Sequence, residues 1–186
     1  MKTRNLLTGF FLLVAALTQG ALAVSRSNEG SVTILAHGPA GLRIEGRSAD
    51  VALEADGSAL TFRVPLAPID TGIGLRDQHL REMLEADKFP AAVLHVSRLE
   101  LKFPEDHKPA EGTAKGELTL HGQSRPVEVR YRAELGDGGL VRVQGALRLD
   151  MRDFGIKSPS YLGVGVAPEV EIKVELAKVG LAAEGR

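Results

Sequence analysis

The feature that most constrains the fold of this chain is a two-residue alternation of apolar and charged side chains. From Val127 to Leu135 every odd position is apolar or aromatic and every even position is charged, and the run from Glu169 to Leu176 alternates in the same way. Successive side chains of a β-strand point to opposite faces. The pattern therefore predicts antiparallel strands that bury one face and expose the other to water.

Shorter runs of the same kind begin at Ser31 and are separated by turn signals such as Asp56-Gly57 and Asp137-Gly-Gly139. Strands that are apolar on one side only must stack as a sandwich or close on themselves. Closure is favoured because it leaves no exposed edge. The prediction is an all-β, antiparallel β-barrel of about eight strands.

One stretch, from Ile69 to Pro90, breaks the alternation. Two glycines are followed by Leu80, Met83 and Leu84 at helical spacing, which predicts a loop that enters one short helix, inserted after Leu75.

That stretch concentrates Arg76, Asp77 and His79 within four positions. Such a cluster can form an acid–base site, or it can brace the loop, since Arg–Asp pairs and histidine hydrogen bonds are common structural devices. An arginine and an imidazole can also donate to a polar head group, which makes these three residues the head-group candidates.

The sequence patterns at the two ends of the chain differ from the pattern in the middle. Lys2 and Arg4, an apolar run and Ala21-Leu-Ala23 predict a signal peptide over residues 1–23, cleaved after Ala23. The alternative is a membrane anchor, but an apolar run of about a dozen residues is shorter than the ~20 that span a bilayer, so no stable anchor is expected after cleavage. A flexible lead-in over 24–30, one domain over 31–179 and a flexible tail over 180–186 complete the predicted organisation. The chain has no cysteine, so neither a disulfide nor a lipid-modified cysteine is expected.

Composition and motifs exclude several functions. The net charge is −1 with the two signs interspersed, which gives no basic stripe for nucleic acid. The five histidines show no metal-ligand spacing, so no metal site is predicted. Gly72-Ile-Gly74 lacks the rest of a dinucleotide motif and is interpreted as a turn.

The predicted inner face carries several small side chains. Small residues stand where a solid core would need bulk, namely Ala36, Ala92, Ala114, Gly116, Ala133 and Gly145. Either an elongated apolar ligand fills the space or the small residues let two sheets approach closely. If a tunnel forms, its predicted ligand-binding residues are Phe62, Val64, Leu94, Val96, Leu118, Leu120, Val129, Leu147, Leu149, Ile172 and Val174.

Three groups of residues, in register over Ser31 to Lys178, resemble a known family. They are Ile69, Thr71, Gly72, Arg76, Asp77, His79, Leu80, Phe89 and Pro90; then Leu118-Thr-Leu-His-Gly122 with Pro126-Val127; then Asp153-Phe-Gly-Ile156. Together they resemble the motifs of the YceI-like family of bacterial polyisoprenoid-binding proteins. The sequence departs from the family pattern in its first strands, which are short and lack the usual opening pattern, and in the short segment between His79 and Pro90. In addition, Met151 stands two positions before the Asp-Phe-Gly element, where a basic residue is often found.

The resemblance implies a lipocalin-like barrel, exported to the periplasm, that holds a long isoprenoid or similar amphiphile. It further implies a non-catalytic lipid carrier, often dimeric, with no cofactor, related to the envelope or to stress. Two alternatives are a periplasmic hydrolase of a lipid-linked substrate with Asp77 and His79 as acid and base, and an envelope interaction module with a solid barrel.

Overall fold

The computed structural model of the chain describes residues 30–56, 58–105, 108–136, 141–161 and 164–179. The predicted signal peptide, most of the lead-in, the tail, Gly57, His107 and the turn at 137–139 lie outside the described residues. Gly30, assigned above to the lead-in, is the buried first residue of a strand. No helix within the described ranges is long and apolar enough to span a membrane.

The described residues form eleven strands and one α-helix. In chain order they are β1 (Gly30–His37), β2 (Arg43–Ser48), β3 (Ala52–Ala55), β4 (Ala59–Pro65), α1 (Gly74–Met83), β5 (Ala91–Ser97), β6 (Ala110–Leu120), β7 (Gln123–Leu135), β8 (Val141–Asp150), β9 (Ser160–Tyr161), β10 (Val164–Gly165) and β11 (Glu169–Val179). Short 3₁₀ turns occupy Pro39–Gly41, Arg98–Glu100 and Met151–Phe154.

Nine strands form one antiparallel sheet in the order β2-β1-β11-β8-β7-β6-β5-β4-β3, curled into a half-barrel. The prediction of an all-β antiparallel barrel with one inserted helix is confirmed, with nine strands in the sheet and a helix that begins at Gly74. The alternation of apolar and charged residues determines which residues pair between neighbouring strands. Ala133 on β7, for example, pairs with Val143 on β8, so that apolar residues share the inner face.

The sheet is closed by a loop and not by a strand ladder. The edge strands β2 and β3 do not pair with each other in the described part of the chain. Instead, Arg47 and Asp70 exchange two backbone hydrogen bonds, each 2.8 Å long. Beside them Ile69 packs against Gly46, where a Cβ atom would lie 3.0 Å from the Ile69 methyl group. We call this contact between β2 and residues 69–70 the seam.

The β6–β7 connection is shorter than the sequence indicates. The turn signal extends from His121 to Pro126, but β7 begins at Gln123 and only His121 and Gly122 make the turn. Both have positive φ, 51° and 71°, as a tight two-residue hairpin requires. Pro126 pairs with Glu117 at a part of β7 that β8 does not reach, so its missing N–H leaves no gap in the ladder.

The interior has two apolar clusters, one at each end of the half-barrel. At the helix end, α1 and the Met151–Phe154 turn cover a cluster that includes Leu84, Phe154 and Ile156. Strand β5 starts at that end and leads to the loop end, where residues 98–103 lie and where Val51, Leu53 and Leu176 form the second cluster.

Candidate functional site

The curled sheet encloses a cavity of about 190 Å³ that extends between the two clusters. Its wall is apolar apart from Lys102 and Tyr131. An engineered apolar void of about 150 Å³ stays dry and binds benzene, so a cavity of this size and chemistry is suited to apolar matter. It is smaller than the roughly 300–1,000 Å³ of sites that enclose a whole drug-sized ligand.

Several inward-facing side chains are only half-buried although they lie inside the sheet. Phe62 and Leu94 on neighbouring strands, and Ile172 and Val174 on β11, all line the cavity and all retain accessible surface. Close-packed interiors leave few such voids. These residues therefore face unfilled space, as a ligand-binding interior requires.

All eleven residues predicted to line a tunnel lie on the cavity wall, namely Phe62, Val64, Leu94, Val96, Leu118, Leu120, Val129, Leu147, Leu149, Ile172 and Val174. The alternation placed them correctly on the inner face. That they contact a ligand stays a prediction.

The small inner residues do not all have the same role. A Cβ atom at Gly145 would lie 3.7 Å from Val129, in ordinary contact and otherwise open space. A Cβ atom at Gly116 would lie 2.8 Å from the His95 carbonyl oxygen. Gly145 therefore contributes empty volume, whereas Gly116 lets β5 and β6 approach each other.

The helix contributes part of the wall that the sequence reasoning did not assign to the site. Leu80, Met83 and Leu84 all line the cavity at the helix end. Their i, i+3, i+4 spacing is the signal that could have identified them, because residues so spaced share one helix face.

Arg76, Asp77 and His79 are absent from the cavity wall. Asp77 Oδ1 accepts hydrogen bonds from the Thr71 hydroxyl at 2.5 Å and the Thr71 backbone N–H at 2.8 Å. The hydroxyl bond first, and then the backbone bond, hold the pKa of Asp77 below its usual value, with a smaller contribution from Arg81. His79 is exposed on α1. This geometry agrees with the bracing interpretation of Asp77.

The loop end holds the residues that sequence reasoning missed. Lys102 and Phe103 are the lining residues that are also solvent-exposed, within the described part of the chain, so the cavity reaches the surface beside them. The Lys102 backbone N–H donates to the Tyr131 hydroxyl at 2.6 Å. Tyr131 was recognised as inward-facing, but nothing in the exposed, proline-containing stretch after Leu101 indicated that it folds back onto the cavity.

A catalytic or metal constellation is not apparent in the described ranges. They contain no group of three histidine, cysteine or acidic side chains able to hold a metal. A histidine–hydroxyl pair, Thr61 with His95 at 2.9 Å, lies on the outer face of the sheet, where His95 is exposed.

Comparison with known proteins shows the family to which this chain belongs. The family model of the YceI-like domain matches residues 25–177. The protein belongs to the YceI-like family. This confirms the family resemblance found in the motifs.

The curated relatives of this chain are distant. UPF0312 proteins from two strains of Vibrio cholerae serotype O1, Classical Ogawa 395 and M66-2, are each 26% identical over 125 residues. The match covers 63% of this chain and 62% of each relative. The chain thus spans less than two thirds of the length of the curated relatives it matches.

Two solved structures share the fold. A polyisoprenoid binding domain from Saccharophagus degradans, implicated in plant cell wall breakdown, superposes with a TM-score of 0.67 at 12% identity, covering 84% of this chain and 97% of that domain. Burkholderia cenocepacia BcnA gives 0.63 at 18% identity, covering 80% and 95%. At these identities the likeness establishes the fold.

The YceI-like motif residues meet at the helix end. His121 Nδ1 donates to the Phe154 carbonyl at 3.1 Å, because a carbonyl can only accept. Its Nε2 lies 3.2 Å from Glu85 Oε1, without the alignment of a hydrogen bond. Phe89 packs edge-on against the His121 ring at 5.0 Å and would be displaced by any side chain at Gly122. These contacts indicate a structural role for His121.

Proposed function

We propose that this protein is a non-catalytic carrier that holds an elongated apolar amphiphile, such as a polyisoprenoid, in the cavity. The observation that carries the proposal is the open apolar cavity, whose half-buried apolar wall residues keep accessible surface within the described part of the chain. A structural relative is itself described as a polyisoprenoid binding domain. Binding would come from burial of apolar surface at roughly 25 cal/mol per Å², which selects width and length more than chemistry.

The polar end of the amphiphile would lie at the loop end. Lys102 supplies an ammonium group, and the Tyr131 hydroxyl, which accepts from the Lys102 backbone, keeps its own hydrogen to donate. Lys102 and Tyr131 are the polar residues among those that line the cavity in the described part of the chain. They are better placed for a head group than Arg76, Asp77 and His79, which lie off the wall.

The hydrolase alternative has less support. A general base must lie within hydrogen-bond reach of the reacting group. Asp77 is committed to Thr71, and neither Asp77 nor His79 borders the cavity that would hold the lipid. The alternative of a solid interaction module conflicts with the open volume beside Gly145.

Export to the periplasm and a link to envelope stress belong to the proposal, and the leader pattern over residues 1–23 supports export. Cell fractionation with amino-terminal sequencing of the product tests it, and an uncleaved cytoplasmic product would contradict it. A homodimer stays a prediction, for which sedimentation of the purified protein is the measurement.

Native mass spectrometry of the protein purified without detergent tests the carrier function. The expected result is a mass excess that organic extraction releases as a long-chain lipid. A bare mass, together with no uptake of a fluorescent polyprenyl analogue, would overturn the proposal. Lipid-ester turnover that His79→Ala abolishes would support the hydrolase instead.

A further inference from the structure

The segment from Arg98 to Phe103, which we call the rim segment, leaves apolar side chains in water at the mouth of the cavity. Leu99 is 97% exposed and Phe103 is 37% exposed. Phe103 also lines the cavity, so the exposed apolar surface is continuous with the apolar interior.

The rim segment is anchored on both sides, so the exposure of Leu99 does not result from a loose loop. The Ser97 hydroxyl accepts from Leu99 N–H at 3.3 Å and caps the 3₁₀ turn. Arg98 N–H donates to the Ser58 carbonyl at 2.9 Å, and Lys102 N–H donates to Tyr131. These hydrogen bonds fix the backbone around Leu99 and keep its side chain pointing into solvent.

Basic groups flank these apolar side chains. The Arg98 guanidinium lies 5.1 Å from the centre of the Phe103 ring, a cation–π arrangement. The Lys102 ammonium forms no ion pair with a described residue. Of the nearby acidic residues, Glu100 is directed toward the Lys115 backbone N–H at 3.4 Å, and the pKa of Asp56 is lowered chiefly by hydrogen bonds from Ser58 and in part by the nearby charge of Arg98. The sequence after Phe103 adds Glu105 and Asp106.

We propose that the rim segment contacts a lipid bilayer surface. Leu99 and Phe103 enter the interfacial region, while Arg98 and Lys102 face the phosphate groups, which sets the cavity mouth against the source of its lipid. This inference rests on the proposed carrier function. Interfacial binding by apolar side chains beside basic ones follows from apolar burial plus attraction to anionic lipid.

A second protein molecule fits this surface less well. An aromatic side chain buries about 150–250 Å², and one leucine adds less than that. The sum falls well short of the roughly 800 Å² per partner of a stable interface. A bilayer needs no such area, because its surface adapts to single inserted side chains.

The chain contains no tryptophan, so Leu99→Trp gives a single fluorescent reporter at a fully exposed position. Vesicles of phosphatidylethanolamine and phosphatidylglycerol should shift its emission to the blue and protect it from acrylamide. The matched control is Leu75→Trp, at a 64% exposed position at the helix end, which should stay unshifted. Lys102→Ala should weaken partitioning onto these vesicles by about fivefold.

A transfer assay separates this inference from the carrier function. Leu99→Asp should slow uptake of a fluorescent polyprenyl analogue from vesicles, yet reach the same loading when the analogue is supplied from detergent. An unshifted Leu99→Trp in a protein that still carries lipid would overturn the rim inference alone. A blue shift in a protein that never takes up the analogue would overturn the carrier function. Association of two copies through Leu99, seen by sedimentation without vesicles, would also overturn the bilayer assignment.

Discussion

Two glycines on the strands that flank β7, Gly145 on β8 and Gly116 on β6, contribute to the barrel in opposite ways. Gly145 faces open volume, and its φ does not fall in the left-handed region, so a Cβ atom there meets neither steric nor backbone strain. Gly116 faces the His95 carbonyl at a distance that a Cβ atom cannot keep. The same residue type therefore creates cavity volume at one position and close strand contact at the other.

Gly145→Leu tests whether the cavity is empty space that a ligand uses. The leucine should project into the cavity and lower loading with a fluorescent polyprenyl analogue at least about tenfold, equivalent to ~1.4 kcal/mol. Stability to urea should stay the same or rise, because burying the side chain favours folding. Loading and unfolding should be measured on the same samples.

Arg148→Leu is the matched control, since it adds the same side chain to the exposed face of β8 and should leave loading unchanged. Gly116→Ala should instead destabilise the fold by about 1–3 kcal/mol through overpacking. If Gly145→Leu behaved like Gly116→Ala, with intact loading and a similar loss of stability, the interior would already be full of side chains.

Asp77→Asn tests the bracing of the loop that enters α1. The Thr71 bonds lower the folded-state pKa of Asp77, so they stabilise the protein above its ordinary value of 3.8 and are lost as the pH falls through the lower folded-state pKa. The melting temperature of Asp77→Asn should therefore be lower at pH 7, and its decline below pH 3.8 should be shallower than in the parent protein.

The acid-induced decline should persist in part, because the pKa of Asp56 and of Asp150 is also lowered, chiefly by hydrogen bonds from Ser58 and Arg152 respectively. Glu54→Gln, on the exposed face of β3, is the control and should leave the pH profile unchanged. Parallel profiles for Asp77→Asn and the parent protein would show that the Thr71 bonds do not depend on the charge.

Among the elements, the strands with a strict two-residue alternation could be predicted from the sequence. The segments whose sequence shows no periodic pattern could not. In β7 and β11 the side-chain pattern determines face and register together, because a shift by one residue would bury charges. The rim segment has no such constraint in its sequence. Its position depends on the Tyr131 hydroxyl, a contact between residues 29 positions apart. The loop between Leu66 and Gly74 likewise closes the barrel, through backbone hydrogen bonds. Such bonds leave no recognisable pattern in the sequence of side chains.

Tyr131→Phe tests this attachment of the rim segment. Removing the hydroxyl deletes its bond with Lys102 N–H, worth about 0.5–1.5 kcal/mol, and keeps the ring that packs over Gly112. Amide hydrogen exchange should accelerate at Lys102 and its neighbours, and a bound polyprenyl analogue should dissociate faster. Exchange in β11, which is separated from β7 by β8, serves as the internal control. Unchanged exchange at Lys102 would mean that other contacts hold the rim segment.

At the scale of the whole molecule, the cavity is too small for the ligand proposed for it. A volume of about 190 Å³ accommodates a short apolar segment. A long isoprenoid must either protrude or widen the half-barrel. The seam is the natural place for widening. In the described part of the chain, neighbouring strands of the sheet are joined by ladders of at least four residue pairs, whereas at the seam β2 is held to residues 69–70 by one pair of backbone bonds.

A reversible cross-link across the seam tests this opening. Residues that exchange both hydrogen bonds in an antiparallel pair have Cα atoms about 5.5 Å apart, within the range of roughly 4.4–6.8 Å that a disulfide spans. The chain has no cysteine of its own, and Arg47 and Asp70 are both exposed, so Arg47→Cys with Asp70→Cys should form one selective, reducible bond. The oxidised protein should take up long polyprenyl analogues more slowly, while uptake of a short isoprenoid alcohol should be unaffected.

Reduction with dithiothreitol should restore the uptake of the long analogue in the same sample, and each single-cysteine variant should respond to neither oxidant nor reductant. Because the barrel is otherwise unaltered, a selective effect on long chains would locate the widening at the seam. Equal uptake of long and short analogues in the oxidised and reduced forms would mean that the chain enters and extends through the mouth beside the rim segment, with the seam closed throughout.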